Sequence, residues 1–335
     1  MTDKVTLALP SKGAIAEPTY NFLKDCSLKI HKPNERQYVG RIPKIAEVEV
    51  LFQRVKDVLY KVSDGTAQLG ITGYDVVKEN FHQDLLVIHP QLGYGHCQLV
   101  VAVPEMWADV TSMADVLDVS LDFREQKYRN IRVATTYPNM TREFLHQNGI
   151  HHFTIVKADG AIEAAPTIGY ADFVVDLTQT GTTLRENHLK IIGDGIIVDS
   201  QACLIGNKRL IASSKTAQNV LRTILEHMDA AIVGRKYMQV TVNICGNSAE
   251  DIGNKLDSHD LTRGLEGPTI APIYSAPSGS SEKWYTATLT LQSNTMMDVV
   301  DYLRTIGGTQ IVATPVHSVF MPESETYKRV LDALR

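Results

Sequence analysis

The chain reads as an α/β protein that ends in a ferredoxin-like βαββαβ domain, and three observations carry that reading. Over residues 5–207, apolar runs of strand length alternate with helical patterns, the mark of an α/β fold with largely parallel sheets. From Tyr237 the pattern becomes a strict alternation, with Met238, Val240, Val242 and Ile244 on one face and Gln239, Thr241 and Asn243 on the other. At 335 residues, 44% of them hydrophobic, the chain can bury a large core and divides into two or three domains.

Strands are expected at 5–9, 47–52, 68–71, 85–89, 98–103, 131–134, 153–156, 173–177 and 196–205, with helices between them. The helix beginning near Ala16 carries Pro18 in its first turn, where a missing N–H costs little. The one from Asn139 to Gln147 ends at Asn148-Gly149, a good C-terminal signal. The apolar runs 99–104 and 196–205 bracket a middle block and suit two crossovers between lobes. After a helix at 216–233 and the alternating strand, Ser248-Ala-Glu-Asp251 opens a helix in near capping-box fashion. Met296, Val299, Val300, Leu303 and Ile306 form a second helical stripe that stops at Gly307-Gly308. Strands at 269–274, 284–291 and 310–314 complete the βαββαβ order, with the Ser/Gly-rich 276–282 as a hairpin loop.

A net charge of -5 argues against an electrostatic nucleic-acid binder, and the basic run from Arg124 to Arg132 is expected to be a solvated connector. Strand-like sequence starts at Val5, no apolar run reaches the roughly 20 residues of a membrane helix, and a cytoplasmic location is expected. Cys26, Cys97, Cys203 and Cys245 lack C-x-x-C spacing and sit in apolar surroundings, so they are expected to be buried free thiols. The histidines show no metal-ligand spacing.

The chemistry concentrates between Asp172 and Leu189. The strand 173–177, interrupted by Asp176, runs into Thr178-Gln-Thr-Gly-Thr-Thr183, where Gly181 can take positive φ so that hydroxyls and backbone N–H groups converge on an anion. The same run also reads as a turn whose hydroxyls only cap a helix. Leu9-Pro-Ser-Lys-Gly13 follows the first strand and offers a helix N-terminus and the Lys12 ammonium to a second anion. Phe52-Gln-Arg-Val-Lys-Asp57 ends another strand with Arg54, whose guanidinium can clamp phosphate bidentately. Asp159 and Glu163, just before the Thr loop, suit ribose hydroxyls or a magnesium-bound pyrophosphate.

In order and wording these motifs resemble the long form of the ATP phosphoribosyltransferase family, the first enzyme of histidine biosynthesis. L-P-S-K-G, F-Q-R-V-K-D, L-G-I-T-G-Y-D, A-T-T-Y-P-N, D-G-A-I-E-A-A-P-T-I-G-Y-A-D, V-D-L-T-Q-T-G-T-T-L and G-L-E-G-P-T-I-A-P span nearly the whole chain. The resemblance implies a two-lobed, periplasmic-binding-protein-like catalytic part and a C-terminal regulatory domain that binds histidine. It also implies magnesium dependence and a homo-oligomer, dimer to hexamer, with ATP and phosphoribosyl pyrophosphate as substrates and no separate regulatory subunit. By motif match, Thr180, Gly181, Thr182 and Thr183 hold the 5-phosphate and Asp176 and Glu163 serve the ribose side, with Asp159 a further substrate contact. Tyr137 and Asp75 lie near the purine, Lys12 and Arg54 assist the departing pyrophosphate, and Asn243, Leu265 and Thr269 meet histidine. Mg²⁺ is held mainly by substrate phosphates. The implied limits are 1–104 with 199–234 for lobe I, 105–198 for lobe II and 235–335 for the regulatory domain.

Two positions depart from the family pattern. Ala14 follows Ser-Lys-Gly where many members have a basic residue, which leaves more of the pyrophosphate contact to Lys12 and Arg54. Asn243 is neutral where some long forms are acidic, which weakens its hold on the ammonium of histidine. Two rival readings remain, a solute-binding receptor and an amino-acid sensor with decayed catalytic lobes. The intact Lys12, Arg54, Glu163 and T-G-T-T loop speak for the enzyme.

Overall fold

The computed structural model describes residues 4–34, 37–158, 160–274 and 283–335. The chain divides into two compact units. One comprises 1–22, 29–220 and 330–335, and the other 23–28 and 221–329.

The first unit holds two sheets. Its elements in order are β1 (Val5–Pro10), α1 (Ala16–Asp25), β2 (Val39–Arg41), β3 (Val48–Gln53), α2 (Val55–Ser63), β4 (Leu69–Gly73), α3 (Tyr74–Glu79) and β5 (Leu85–His89). There follow β6 (Cys97–Pro104), α4 (Met113–Gln126), β7 (Ile131–Thr135), α5 (Pro138–Gln147), β8 (Phe153–Lys157), α6 (Ala165–Ile168), β9 (Phe173–Thr178) and α7 (Thr182–Glu186). The series closes with β10 (Leu189–Ser200), β11 (Ala202–Asn207), α8 (Lys208–Ser213) and α9 (Lys215–Gly234), the last running on into the second unit.

The six-stranded sheet has the order β2-β3-β1-β4-β11-β5, and the five-stranded sheet β10-β6-β9-β7-β8. Each has a parallel core, β3-β1-β4 or β9-β7-β8, flanked by antiparallel strands, so the expected largely parallel sheets are mixed. The antiparallel members include the strands that lead in and out of the crossovers. The first crossover lies between β5 and β6, and the second is Gln201, between β10 and β11. They bond to each other, Leu92 N–H to the Ala202 carbonyl at 3.0 Å and Ala202 N–H to the Tyr94 carbonyl at 3.0 Å.

Two sequence expectations are corrected here. The run 99–104, assigned to the end of lobe I, pairs with β9 and β10 in the second sheet, because its alternating apolar side chains fit either sheet equally and only the partner decides. The single strand 196–205 is two strands in two sheets, broken at Gln201.

Core packing follows strand alternation. Leu99, Val101, Val133, Phe173 and Val175 pack on one face of the second sheet with Phe123 and Leu145. The opposite face is lined by smaller residues, Val100, Ala102, Ala134 and Val174, against Ile162, Ala165 and Leu184. The small side chains let the segment around Glu163 and the helix after the Thr loop lie close to the sheet. Arg129 and Arg132 are not a loose connector, since Arg129 clamps Asp172 bidentately at 2.6 and 2.8 Å and Arg132 N–H donates to it at 2.7 Å. This ties the start of β7 to the start of β9.

The second unit adds β12 (Tyr237–Cys245), α10 (Ala249–Asp257), β13 (Thr269–Pro272), β14 (Trp284–Gln292), α11 (Met296–Thr305), β15 (Gly308–Pro315) and α12 (Glu325–Leu334), whose last turn belongs to the first unit. The sheet order β13-β14-β12-β15 is the ferredoxin-like arrangement. Val240, Val242 and Ile244 pack with Ile252, Leu256, Val299 and Leu303, so both helices cover one face. The hairpin loop expected at 276–282 lies outside the described residues. α12 was not expected.

Among the described residues no helix is long and apolar enough to cross a membrane. None of the four cysteines forms a disulfide; only Cys26 and Cys203 are buried, and Cys97 and Cys245 are half-buried.

Candidate active site

Parallel strands end together, so β1, β3 and β4 deliver Pro10, Gln53 and Gly73 to one edge of the first sheet. At such an edge, helix N-termini and loops converge on ligands. The L-P-S-K-G turn is tied there by Ser11 N–H donating to the Gln53 carbonyl at 2.6 Å, which puts the Lys12 and Arg54 loops side by side. Both side chains are exposed. Arg54 takes the N-cap position of α2 in extended conformation without capping it, so its guanidinium is not spent on the helix.

A cavity of about 310 Å³ opens between the two sheets, lined by Val55, Lys56, Asp75, Cys97, Tyr137 and Gln179, among others. Asp75 is in the first turn of α3 and Tyr137 precedes α5, so they come from different lobes. The two meet: the Tyr137 hydroxyl donates to Asp75 Oδ2 at 2.6 Å. Ser200, at the end of β10, donates to Asp75 Oδ1 at 2.7 Å and accepts the Asp75 N–H at 2.9 Å. Burial, then the charge of Asp75, pushes the Tyr137 phenol well above its ordinary range, so it stays protonated and donates. The Lys56 ammonium lies 6.0 Å from the centre of the Tyr137 ring. The Cys97 thiol, on the same wall, is pushed up to about 11 by burial and then by Asp75, so it remains a thiol.

Thr178 and Gln179 lead from this cavity into the Thr loop. Gly181 sits at φ 72°, the left-handed conformation the anion reading requires, at the N-cap position of α7. Its N–H donates to Thr178 Oγ1 at 2.8 Å, which closes the turn. The Thr180 and Thr182 hydroxyls bond each other at 2.8 Å. Thr180, Thr182 and Thr183 are exposed around the buried Gly181. Arg185, one turn along α7, reaches Thr182 Oγ1 at 3.4 Å and supplies a cation beside the loop. The sequence reading missed it.

Asp176, in β9 just before the loop, lies within electrostatic reach of Glu163. The Asp176 carboxyl is pushed up to about 6, chiefly by burial, with the Leu177 N–H opposing and the charge of Glu163 adding to the rise. Asp159 lies outside the described residues. Among those described, no group of three or more His, Cys, Asp or Glu side chains could hold a metal ion. Two neighbouring carboxylates do suit Mg²⁺ carried mainly by phosphates, which takes one or two protein ligands.

In the C-terminal unit, the polar face of the sheet and the segment after β15 enclose a cavity of about 700 Å³ lined by Gln239, Leu265, Thr269, Thr288, His317 and Phe320, among others. Leu265 and Thr269 therefore share a pocket. Asn243 does not line it: it lies farther along the same face of β12, donating to Gln310 Oε1 at 2.7 Å.

Comparison with known proteins agrees with this geometry. The ATP phosphoribosyltransferase family model matches residues 54–230, and the model of that family's C-terminal domain matches residues 234–318. The chain is 35% identical to the chloroplastic ATP phosphoribosyltransferase 2 of Arabidopsis thaliana over 99% of its own length and 81% of the relative's. It is 43% identical to the ATP phosphoribosyltransferase of Mesorhizobium japonicum, which matches over 68% of this chain and 99% of its own length. A chain of the ATP phosphoribosyl transferase (HisG:HisZ) complex from Thermotoga maritima shares the fold at a TM-score of 0.52 and 24% identity, covering 67% of this chain and 96% of that one. With one model covering most of the cleft, the other most of the C-terminal unit, and a relative aligned almost end to end, the chain belongs to the ATP phosphoribosyltransferase family.

Proposed function

We propose that the cleft between the two sheets performs ATP phosphoribosyl transfer, the first step of histidine biosynthesis. Adenine N1 of ATP attacks C1 of phosphoribosyl pyrophosphate. The N1 lone pair forms the new bond as the C1–oxygen bond breaks, and its electron pair leaves with pyrophosphate. The nucleophile carries its own lone pair, so no Ser–His or Cys–His pair is needed. The transition state needs two held reactants in line and positive charge beside the departing group.

The observation that carries the reading is one cavity joining Asp75 and Tyr137 to the first residues of the Thr loop. In this reading Tyr137 and Asp75 face the purine, and Thr180, Gly181, Thr182 and Thr183, with Arg185, hold the 5-phosphate. Glu163, Asp159 and Asp176 serve the ribose hydroxyls. Lys12 and Arg54 flank the pyrophosphate. Mg²⁺, when bound, would neutralise pyrophosphate charge with Glu163 and Asp176 as its protein contacts. Cytoplasmic work needs no membrane helix. The test is pyrophosphate release from ATP plus phosphoribosyl pyrophosphate: release with both and none with either alone is expected, and no release refutes the assignment.

The same proposal gives the C-terminal unit a regulatory role. Histidine would bind the polar sheet face at Leu265 and Thr269, with Asn243 bordering it, and bias the association of subunits into dimer or hexamer. A chain carrying its own regulatory unit needs no separate one.

A further inference from the structure

The two lobes are joined by a side chain that the reaction does not use. Glu79, on the last turn of α3, is only 7% exposed, and its carboxylate crosses to the N-terminus of α5. Oε1 accepts the Asn139 N–H at 2.9 Å and Oε2 the Met140 N–H at 3.0 Å. The Glu79 carbonyl accepts Asn139 Nδ2 at 3.0 Å. This is a helix cap supplied from another element. Pro138 at the first helical position has no N–H, and Tyr137 at the N-cap makes no side-chain cap bond, so Glu79 meets the first two donors of α5.

Asp75 and Glu79 are four residues apart on α3 and so share a face. One carboxylate takes the phenol of Tyr137, and the other takes the helix that Tyr137 introduces. The Tyr137 N–H is held by Thr135 Oγ1 at 2.9 Å. The ring is therefore located at three points, two of them supplied by α3.

We infer that Glu79 is a positioning residue for ATP: through the N-terminus of α5 it holds Tyr137 in the purine end of the cleft. This rests on the reading that Tyr137 and Asp75 face the purine. A merely structural Glu79 would disturb both substrates or neither, whereas a positioning role affects ATP alone.

The test is steady-state kinetics of the full chain. Glu79→Gln keeps the shape but leaves one oxygen for two N–H groups. It should raise KM for ATP about tenfold while kcat and KM for phosphoribosyl pyrophosphate stay within about twofold. The exposed Asn139→Ala, which removes only the bond to the Glu79 carbonyl and threatens folding least, should raise KM for ATP about threefold. In a Tyr137→Phe background, Glu79→Gln should add less than about twofold, because the two act through one ring. An unchanged KM for ATP in both single variants, equal effects on both substrates, or full additivity with Tyr137→Phe would each overturn the inference. If Tyr137→Phe alone leaves KM for ATP unchanged, the purine site fails and this inference with it. If Tyr137→Phe is impaired while Glu79→Gln and Asn139→Ala are silent, only this inference falls.

Discussion

The Tyr137 hydroxyl sits 2.6 Å from Asp75 Oδ2, each residue is 5% exposed, and they belong to different lobes. A buried hydrogen bond to a charged group contributes about 1.5–3 kcal/mol. Where it also shapes a ligand site, its loss is felt in binding and in stability.

Tyr137→Phe should therefore raise KM for ATP by about tenfold and lower Tm by several degrees, since Asp75 loses the phenol and keeps Ser200. Asp75→Asn, which retains one acceptor for the phenol, should do less on both counts. Initial-rate kinetics and a thermal melt measure these effects. A Phe variant with parental KM would place the purine elsewhere.

Gly181→Val forces a β-branched residue to φ 72°. A built Cβ meets Ile191 at 3.5 Å and the Arg185 guanidinium at 3.9 Å, both ordinary contacts, so backbone strain rather than crowding makes the loop rearrange. Calorimetric titration should find no measurable binding of phosphoribosyl pyrophosphate in a variant that still melts cooperatively. Retained affinity would move the phosphate site away from this turn.

Arg54→Ala removes an exposed cation that caps nothing, so stability should change by less than about 0.5 kcal/mol. Turnover should fall at least about tenfold, from one lost charge-assisted contact in the transition state. A kcat within about twofold of the parent would remove Arg54 from the chemistry.

Asp176 gives a pH dependence with a definite sign. Its folded-state value of about 6 lies above the ordinary carboxylate range, so between about pH 4 and 6 the folded state binds more protons than the unfolded state. Its contribution to stability is thus greatest in acid and falls as pH rises through about 6. Asp176→Asn should stabilise the chain at pH 7 by about 1–3 kcal/mol and have little effect at pH 4. In the proposed role the ionised form accepts the ribose hydroxyls, so kcat/KM for phosphoribosyl pyrophosphate should rise through about pH 6 in the parent, and Asp176→Asn should lose that limb. An unchanged limb would assign it to another group.

Thr269→Arg places a long cation in the C-terminal cavity without touching the cleft. A histidine titration at subsaturating phosphoribosyl pyrophosphate should show the parent inhibited and the variant insensitive, with uninhibited activity equal in the two. A variant inhibited like the parent would move histidine off this face.

Elements with clean period were legible in the sequence. β5 and β12 form over the residues expected, because alternation or a bounded apolar run marks them. β10 was half lost because Gly193 and Gly195 interrupt it and its register against β6 shifts twice. α12 was overlooked although Tyr327, Val330, Leu331 and Leu334 form a helical stripe and Ser324 caps its first turn. In the site, the positive φ at Gly181 was legible because the Thr-Gly-Thr run calls for it, and the family resemblance named Tyr137 and Asp75 together without their hydrogen bond. Glu79 and Ser200 could not be picked out, since their roles depend on what another strand or helix brings opposite them, whereas Arg185, three residues after Thr182 on the same helix, was open to helical spacing. Asn243, which the family resemblance groups with Leu265 and Thr269, lies farther along the same strand face, outside the cavity those two line.

The strand order of the first sheet also constrains how the protein is born. β11 lies between β4 and β5, pairing Ala202 with Gly73 and Leu204 with His89, so an interior strand is contributed from beyond the whole second sheet. As the chain emerges from the ribosome, β1 to β5 are made first and must wait with facing edges of β4 and β5 unpaired. The amino-terminal lobe cannot finish folding before the lobe that follows it has been synthesised. Such bare edges invite contact with other nascent chains, which makes the interval before β11 arrives the time when this protein most needs a chaperone.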